Sequence, residues 1–334
     1  MHIANSIQVD QAQYESFTVG AGFPCPIATR NRSCWARESG RGNLAPTVMF
    51  EGYRLELAMS VRDELIVCGA DEVFVLDLGR GGEKVWSWRA EGQSSLPESM
   101  WEKFGSVDEC KPVDKGKRIL LTSSGSGVAV VERETGEAEF YATVVNAHSV
   151  DLLPNDRFAV AASHVDDGPG DRLIVFDLGR SEVEVCSEEL PKGHGVVWDD
   201  ARGVVWALAH EDIRVFELVD WDSDLPSLRL REAIALPEGG GHELSVLGDT
   251  DFLAVSTYPH CYLFDRETHA FTLHPDLGDE MHVKCISHHP ESERVAYVQG
   301  EGGHWWAERV GLLHPEEEVH LPGERVYKVR WDVG

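Results

Sequence analysis

Positive charge is scarce in this sequence. Its 334 residues hold 30 Lys and Arg against 58 Asp and Glu, a net charge of −28. That deficit argues against nucleic-acid binding through a basic surface, and an anionic lipid surface would repel the chain. Long hydrophobic runs are missing too. No stretch of 18 apolar residues occurs, so no membrane span is expected. The opening MHIANSIQVDQAQYESF has no basic segment followed by an apolar one, and no secretory leader is read there. Cysteine is sparse and scattered: seven residues (25, 34, 68, 110, 186, 261 and 285) with no CxxC pair. This excludes a zinc ribbon and suits reduced thiols in a cytoplasmic protein. Helix signals are nearly absent. The best is SLPESMWEKF (95–104), where Ser95 and Glu98 have capping-box spacing and Pro97 falls in the first turn. Apolar residues, at 42%, are ample for a folded core.

What the chain does contain is a weak, persistent repeat. An apolar strand ending in an acidic residue recurs as VFVLDL (73–78), VAVVERETGE (128–137), LIVFDLGRSE (173–182), IRVFELVD (213–220) and CYLFDRETHA (261–270). A second strand precedes most of these: ELIVCGA (64–70), RILLTSS (118–124), RFAVAAS (157–163), GVVWALA (203–209), FLAVSTY (252–258) and RVAYVQG (294–300). A third phrase carries a His or Lys: CKPV (110–113), AHSVDLL (147–153), GHGVVWD (193–199), GHELSVL (241–247), VKCIS (283–287) and YKVRW (327–331). Its key residues, Lys111, His148, His194, His242, Lys284 and Lys328, stand 37, 46, 48, 42 and 44 residues apart. Four short strands with their turns occupy about 40–50 residues, the length of one propeller blade.

The phrases count out an all-β, six-bladed β-propeller over residues 62–334. Five blades start near residues 108, 147, 193, 241 and 282. The strands at 64–90 lack an inner strand in front, and the C-terminal YKVRW lacks strands behind it. Pairing these two orphans closes the ring and removes its open edges. Seven blades are the alternative if residues 1–61 supply strands, for example through MFEGYRLELAMSV (49–61). Residues 1–61 are charge-balanced, with five basic and five acidic residues, so the remaining 25 basic and 53 acidic residues carry the whole −28. The segment reads equally as an ordered arm or extra strands and as a tail.

Innermost strands line a propeller's channel. Equivalent phrases would therefore place His148, His194 and His242 on consecutive blades, with Lys328, Lys111 and Lys284 on the other three. Three converging imidazoles would suit a divalent transition metal, Mn or Zn, with open positions for water or substrate. The three lysines, with Arg330 two residues after Lys328, would attract a carboxylate, sulfate or phosphate. The alternative is that these side chains merely line a water-filled channel. His282 would share the face of Lys284, whereas His288 and His289 read as surface residues before Pro290. His164 and His210 end second strands, and His304 packs beside Trp305 and Trp306. Tryptophans such as Trp88, Trp206 and Trp331 read as core between blades. No GxSxG elbow, P-loop or HExxH motif occurs, and DDGPGD (166–171) reads as a hairpin tip.

NAHSVDLLPNDRFAVAASH (146–164), GHGVVWDDARGVVWAL (193–208), GGHELSVL (240–247), VKCISHHPESERVAYVQ (283–299) and GERVYKVRW (323–331) resemble an uncharacterised family of six-bladed β-propeller proteins. The resemblance covers roughly residues 62–334 and implies the fold without an activity. In architecture alone, the His-lined channel also looks like that of propeller-fold oligogalacturonate lyases, which bind manganese through histidines. Two functional readings follow. One is an enzyme, a lyase or hydrolase, acting on a small anionic molecule or acidic sugar. In it His148, His194 and His242 hold metal or serve as acid and base, while Lys111, Lys284, Lys328 and Arg330 hold the anion. The other is a non-catalytic binding or scaffold propeller that takes a protein partner on one ring face.

Overall fold

The computed structural model describes residues 63–166 and 168–332. The possible seventh-blade strands and the arm read from residues 1–61 lie outside these. The described chain forms six four-stranded antiparallel sheets. Each is a blade whose strands run in sequence order from the channel outward, except the one that closes the ring. In that blade the inner strand is the C-terminal Lys328–Asp332, which pairs with Glu64–Cys68, followed by Glu72–Asp77 and Glu83–Arg89. The closing register sets Lys328 opposite Cys68 and Asp332 opposite Glu64. The other inner strands are Val107–Val113, Ala147–Leu153, Gly195–Asp199, Glu243–Val246 and Val283–His288. We number the blades I to VI, starting with the closing blade.

The alternation of each strand fills both faces of its sheet. In Glu64–Cys68, Leu65 and Val67 pack toward blade VI while Ile66 and Cys68 pack toward blade II. Repeated around the ring, this gives six apolar wedges, one between each pair of neighbouring blades. Full burial of one Val, Leu, Ile or Phe stabilises by about 1.5–3 kcal/mol, so the wedges hold the ring together. The expectation that tryptophans fill the core between blades holds for some of them and not for Trp305. Trp88, Trp206 and Trp331 are buried in wedges, whereas Trp305 is 42% exposed.

The one helical segment lies where expected, as a turn of α-helix (Glu98–Trp101) and a 3-10 turn (Glu102–Phe104). Its start differs from the capping-box reading. Pro97 is the N-cap residue and no side chain caps the turn. Ser95 instead accepts a hydrogen bond from the Ala138 N–H at 2.8 Å, tying the segment to blade II.

Candidate functional site

Strand pairing fixes which inner-strand residues are equivalent. Cys68, Thr122, Ala161, Leu208, Ser256 and Val298 hold the same place in the six second strands. They face Lys328, Glu109, Ser149, Gly195, Glu243 and Cys285. The residue before each of these forms the first layer: Tyr327, Asp108, His148, His194, His242 and Lys284. This corrects the phase read from the sequence, which set Lys111 and Lys328 in that layer. Lys328 belongs one residue deeper and Lys111 three residues deeper. The two lysines are the conspicuous cations of their phrases, but strand register, not charge, sets the layer, and in three blades a β-bulge marks it. The ladder skips Asp108, His148 and Lys284 in blades II, III and VI. In blades I, IV and V, Tyr327, His194 and His242 donate their backbone N–H to the second strand from just outside the inner strand. A bulge breaks alternation and re-aims its side chain, so a strict period of two misplaces this layer.

The first layer gathers at one end of the channel. His148 stacks on His194 with ring centroids 4.4 Å apart, and His194 meets His242 edge-on at 4.8 Å. His242 meets Tyr258 at 4.6 Å, and the Lys284 ammonium lies over the Tyr258 ring at 5.3 Å. On the other side His148 lies 6.3 Å from Tyr327. Asp108 Oδ1 is 3.5 Å from His148 Nδ1 without closing a hydrogen bond. The structure thus brings the three predicted histidines and Lys284 together. It adds Tyr327 and Tyr258, which sequence reasoning missed, and Asp108, the carboxylate that the sequence sets beside the Lys111 phrase.

Three features of this mouth carry chemical meaning. Lys284 is 5% exposed, and burial lowers its ammonium to about 8. No acceptor or carboxylate meets it among the described residues. His242 is 8% exposed, and both of its ring nitrogens lack hydrogen-bond partners. Burial, and then the nearby Lys284 charge, hold it neutral, well below the ordinary histidine range. His194 is also held neutral, by burial and by its two histidine neighbours. Its Nδ1–H donates to the Lys192 carbonyl at 2.8 Å, so Nε2 keeps its lone pair.

The deeper cations have other company. Arg330 donates to both oxygens of Glu109 at 2.9 and 2.7 Å and to Glu243 at 3.0 Å. Lys328 lies 3.4 Å from Glu109 and 3.2 Å from Glu243. All four residues are at most 6% exposed. This two-plus, two-minus cluster fills the channel behind the mouth. Lys111, in the same layer as Arg330, donates to the Val196 carbonyl at 2.8 Å and pairs with Asp151 at 3.3 Å. The charges of Lys328, Arg330 and Lys111 are therefore matched by this protein's own carboxylates.

A metal would need lone pairs that converge. Stacked rings direct their in-plane nitrogens side by side, and among the described residues no group of three His, Cys, Asp or Glu is placed to hold a metal ion.

Of the other histidines, exposed His282, with φ 60°, lies 6.3 Å from Tyr258 at the edge of the mouth. His164 pairs with Asp171 at 2.7 Å, and His304 stacks on Trp306 at 4.6 Å. His289 is only 5% exposed and the His288 Nδ1 is buried, so neither is the surface residue its place before Pro290 suggested.

The model of a family of unknown function (DUF6528) matches residues 66–334. No curated protein matches the chain. No helix among the described residues is long and apolar enough to cross a membrane.

Proposed function

This chain belongs to that family of unknown function, and from the site alone we propose that the histidine-lined mouth of its propeller binds a small carboxylate-bearing molecule, an acidic sugar being one candidate. The observation that carries this reading is Lys284, a buried ammonium with no counter-charge among the described residues. Lowering its pKa from 10.5 to about 8 corresponds to about 3 kcal/mol against the charged form. A carboxylate beside it would offset much of that penalty. The orphaned nitrogens of His242 add hydrogen bonding once one of them donates. Tyr258 and Trp305, 46% and 42% exposed, supply flat apolar surface for the body of such a ligand.

A second, catalytic reading rests on His194. Its Nε2 lone pair, on a ring held neutral at pH 7, suits a general base for the proton next to a bound carboxylate. β-Elimination from a uronate would use such a base. The electron pair of the broken C–H bond forms the double bond, and the leaving oxygen departs and takes up a proton.

Calorimetric titration with galacturonate and with malonate tests the binding reading. Saturable binding is expected at pH 7. It should weaken at least about tenfold in Lys284→Met and fade as pH rises through about 8, where Lys284 loses its proton. Lys111→Met should bind as the parent does. Binding that survives K284M refutes the assignment. An equivalent of Mn or Zn in the purified protein, lost in His194→Ala, would replace it with a metal-assisted one.

A further inference from the structure

At the other end of the channel lies a cavity of about 330 Å³. All six fourth-layer residues line it: Arg330, Lys111, Asp151, Val197, Ser245 and Ser287. The cavity therefore sits on the ring axis, and the Glu109, Glu243, Lys328 and Arg330 cluster separates it from the histidine mouth. Its volume falls at the small end of ligand pockets. Pro112, Val246 and Trp331 give it an apolar wall.

We infer that this cavity is a second binding site, for a neutral ring-sized molecule bearing carbonyl-type acceptors, such as a lactam or an oxo-pyrimidine. The first argument is charge balance. Lys111, Lys328 and Arg330 face Asp151, Glu109 and Glu243, three positive groups against three negative. A bound carboxylate would add a charge that nothing offsets, and burying an unpaired charge is costly.

The second argument is an excess of donors. Arg330 commits four of its five N–H groups, two to Glu109, one to Glu243 and one to Cys285 Sγ. One remains. Lys111 has three and uses one on Val196 and one toward Asp151. Ser287 accepts from the Trp331 N–H at 3.2 Å and keeps its own O–H.

His288 also lines the cavity, and its tautomer is fixed. The backbone N–H groups of Asp276 and Leu277 donate to His274 Nδ1, so the His274 proton resides on Nε2. That Nε2–H donates to His288 Nε2 at 3.2 Å. The His288 proton is thereby placed on Nδ1, a buried N–H with no acceptor among the described residues. Burial, and then His274, lower His288 to about 4, so it is neutral at pH 7. Three donors, on Arg330, Lys111 and Ser287, around a charge-balanced, apolar-walled space fit an uncharged acceptor.

The site is independent of the carboxylate reading at the opposite mouth, and its test separates the two. Ligand-observed NMR with δ-valerolactam and with uracil is compared with cyclohexanecarboxylate. Saturable binding of at least one neutral ring is expected. It should weaken at least about tenfold in Val246→Trp and in Lys111→Met and be unchanged in Lys284→Met. Val246 is 46% exposed, so the tryptophan closes the cavity from the surface, and K111M decides should V246W misfold. No saturable binding of either ring overturns the inference. So does tighter binding of the carboxylate, or ring binding that persists in folded V246W or in K111M.

Discussion

Removing the Glu109 carboxylate should be among the most damaging single changes in this molecule. Glu109 is fully buried and takes two hydrogen bonds from Arg330, with Lys328 3.4 Å away. In Glu109→Ala two buried cations share the single carboxylate of Glu243. Breaking one partner out of a buried ion pair costs about 3–5 kcal/mol. For a domain of this size each kcal/mol lowers Tm by roughly 2–4 °C, so a fall of roughly 6–20 °C is expected in a thermal melt followed by tryptophan fluorescence. Glu109→Gln keeps the shape and isolates the charge. A double variant, Glu109→Gln with Lys328→Met, restores one positive against one negative and should recover most of the loss. That recovery is the coupling a double-mutant cycle reads.

The pH dependence follows from the same contacts. Burial alone would raise the Glu109 pKa, but Arg330 and Lys328 outweigh it and hold the carboxyl far below the usual range. A depressed carboxylate contributes stability that is present above its unfolded pKa, near 4.5. That contribution falls away only as pH drops toward the folded value. Parent and E109Q should therefore differ fully at pH 7 and converge in strong acid. A loss below about 1 kcal/mol in E109Q, or a double variant no more stable than E109Q, would refute the argument.

Two further outcomes are expected. The histidine mouth should make the protein sensitive to mild acid. His194 and His242 have folded pKa values well below 6.5, so below that pH the unfolded state binds protons the native state does not. Stability should fall by up to about 1.4 kcal/mol per pH unit for each histidine. His242→Phe should shrink that acid slope in urea melts at pH 5 and 7, and an unchanged slope would count against the assignment. Gly195→Ala should destabilise by roughly 1–3 kcal/mol in the same assay. An added Cβ would lie 2.5 Å from Leu244 Cβ and 3.1 Å from Leu208 Cβ. A stable G195A would show that this inner strand can move.

Much of the fold was legible because a propeller repeats the same local problem six times. The expected blade starts near 108, 147, 193, 241 and 282 meet inner strands beginning at Val107, Ala147, Gly195, Glu243 and Val283. The site was legible only in part. The three neighbouring histidines and Lys284 were found because they occupy one phase of the repeat. Lys111 and Lys328 were misphased because they are the conspicuous cations of their phrases. A better anchor was present in the sequence. Two residues after each first-layer position comes an apolar one: Val329, Cys110, Val150, Val196, Leu244 and Ile286, each buried in its own wedge. Aligning on that column yields Tyr327 and Asp108.

What the sequence determined by itself is the periodic part: six strand sets, their alternation, and the two orphans whose pairing closes the ring. These follow from the requirement that each strand bury apolar side chains against both neighbouring blades. The tertiary structure alone decided the partners across the channel. Arg330 meets Glu109 from 221 residues away, and Lys111 reaches Val196 over 85. The difference between Lys284, left without a counter-charge, and Lys328, held by two carboxylates, comes from which side chains the closed ring sets opposite each other. No local pattern in the chain carries that information.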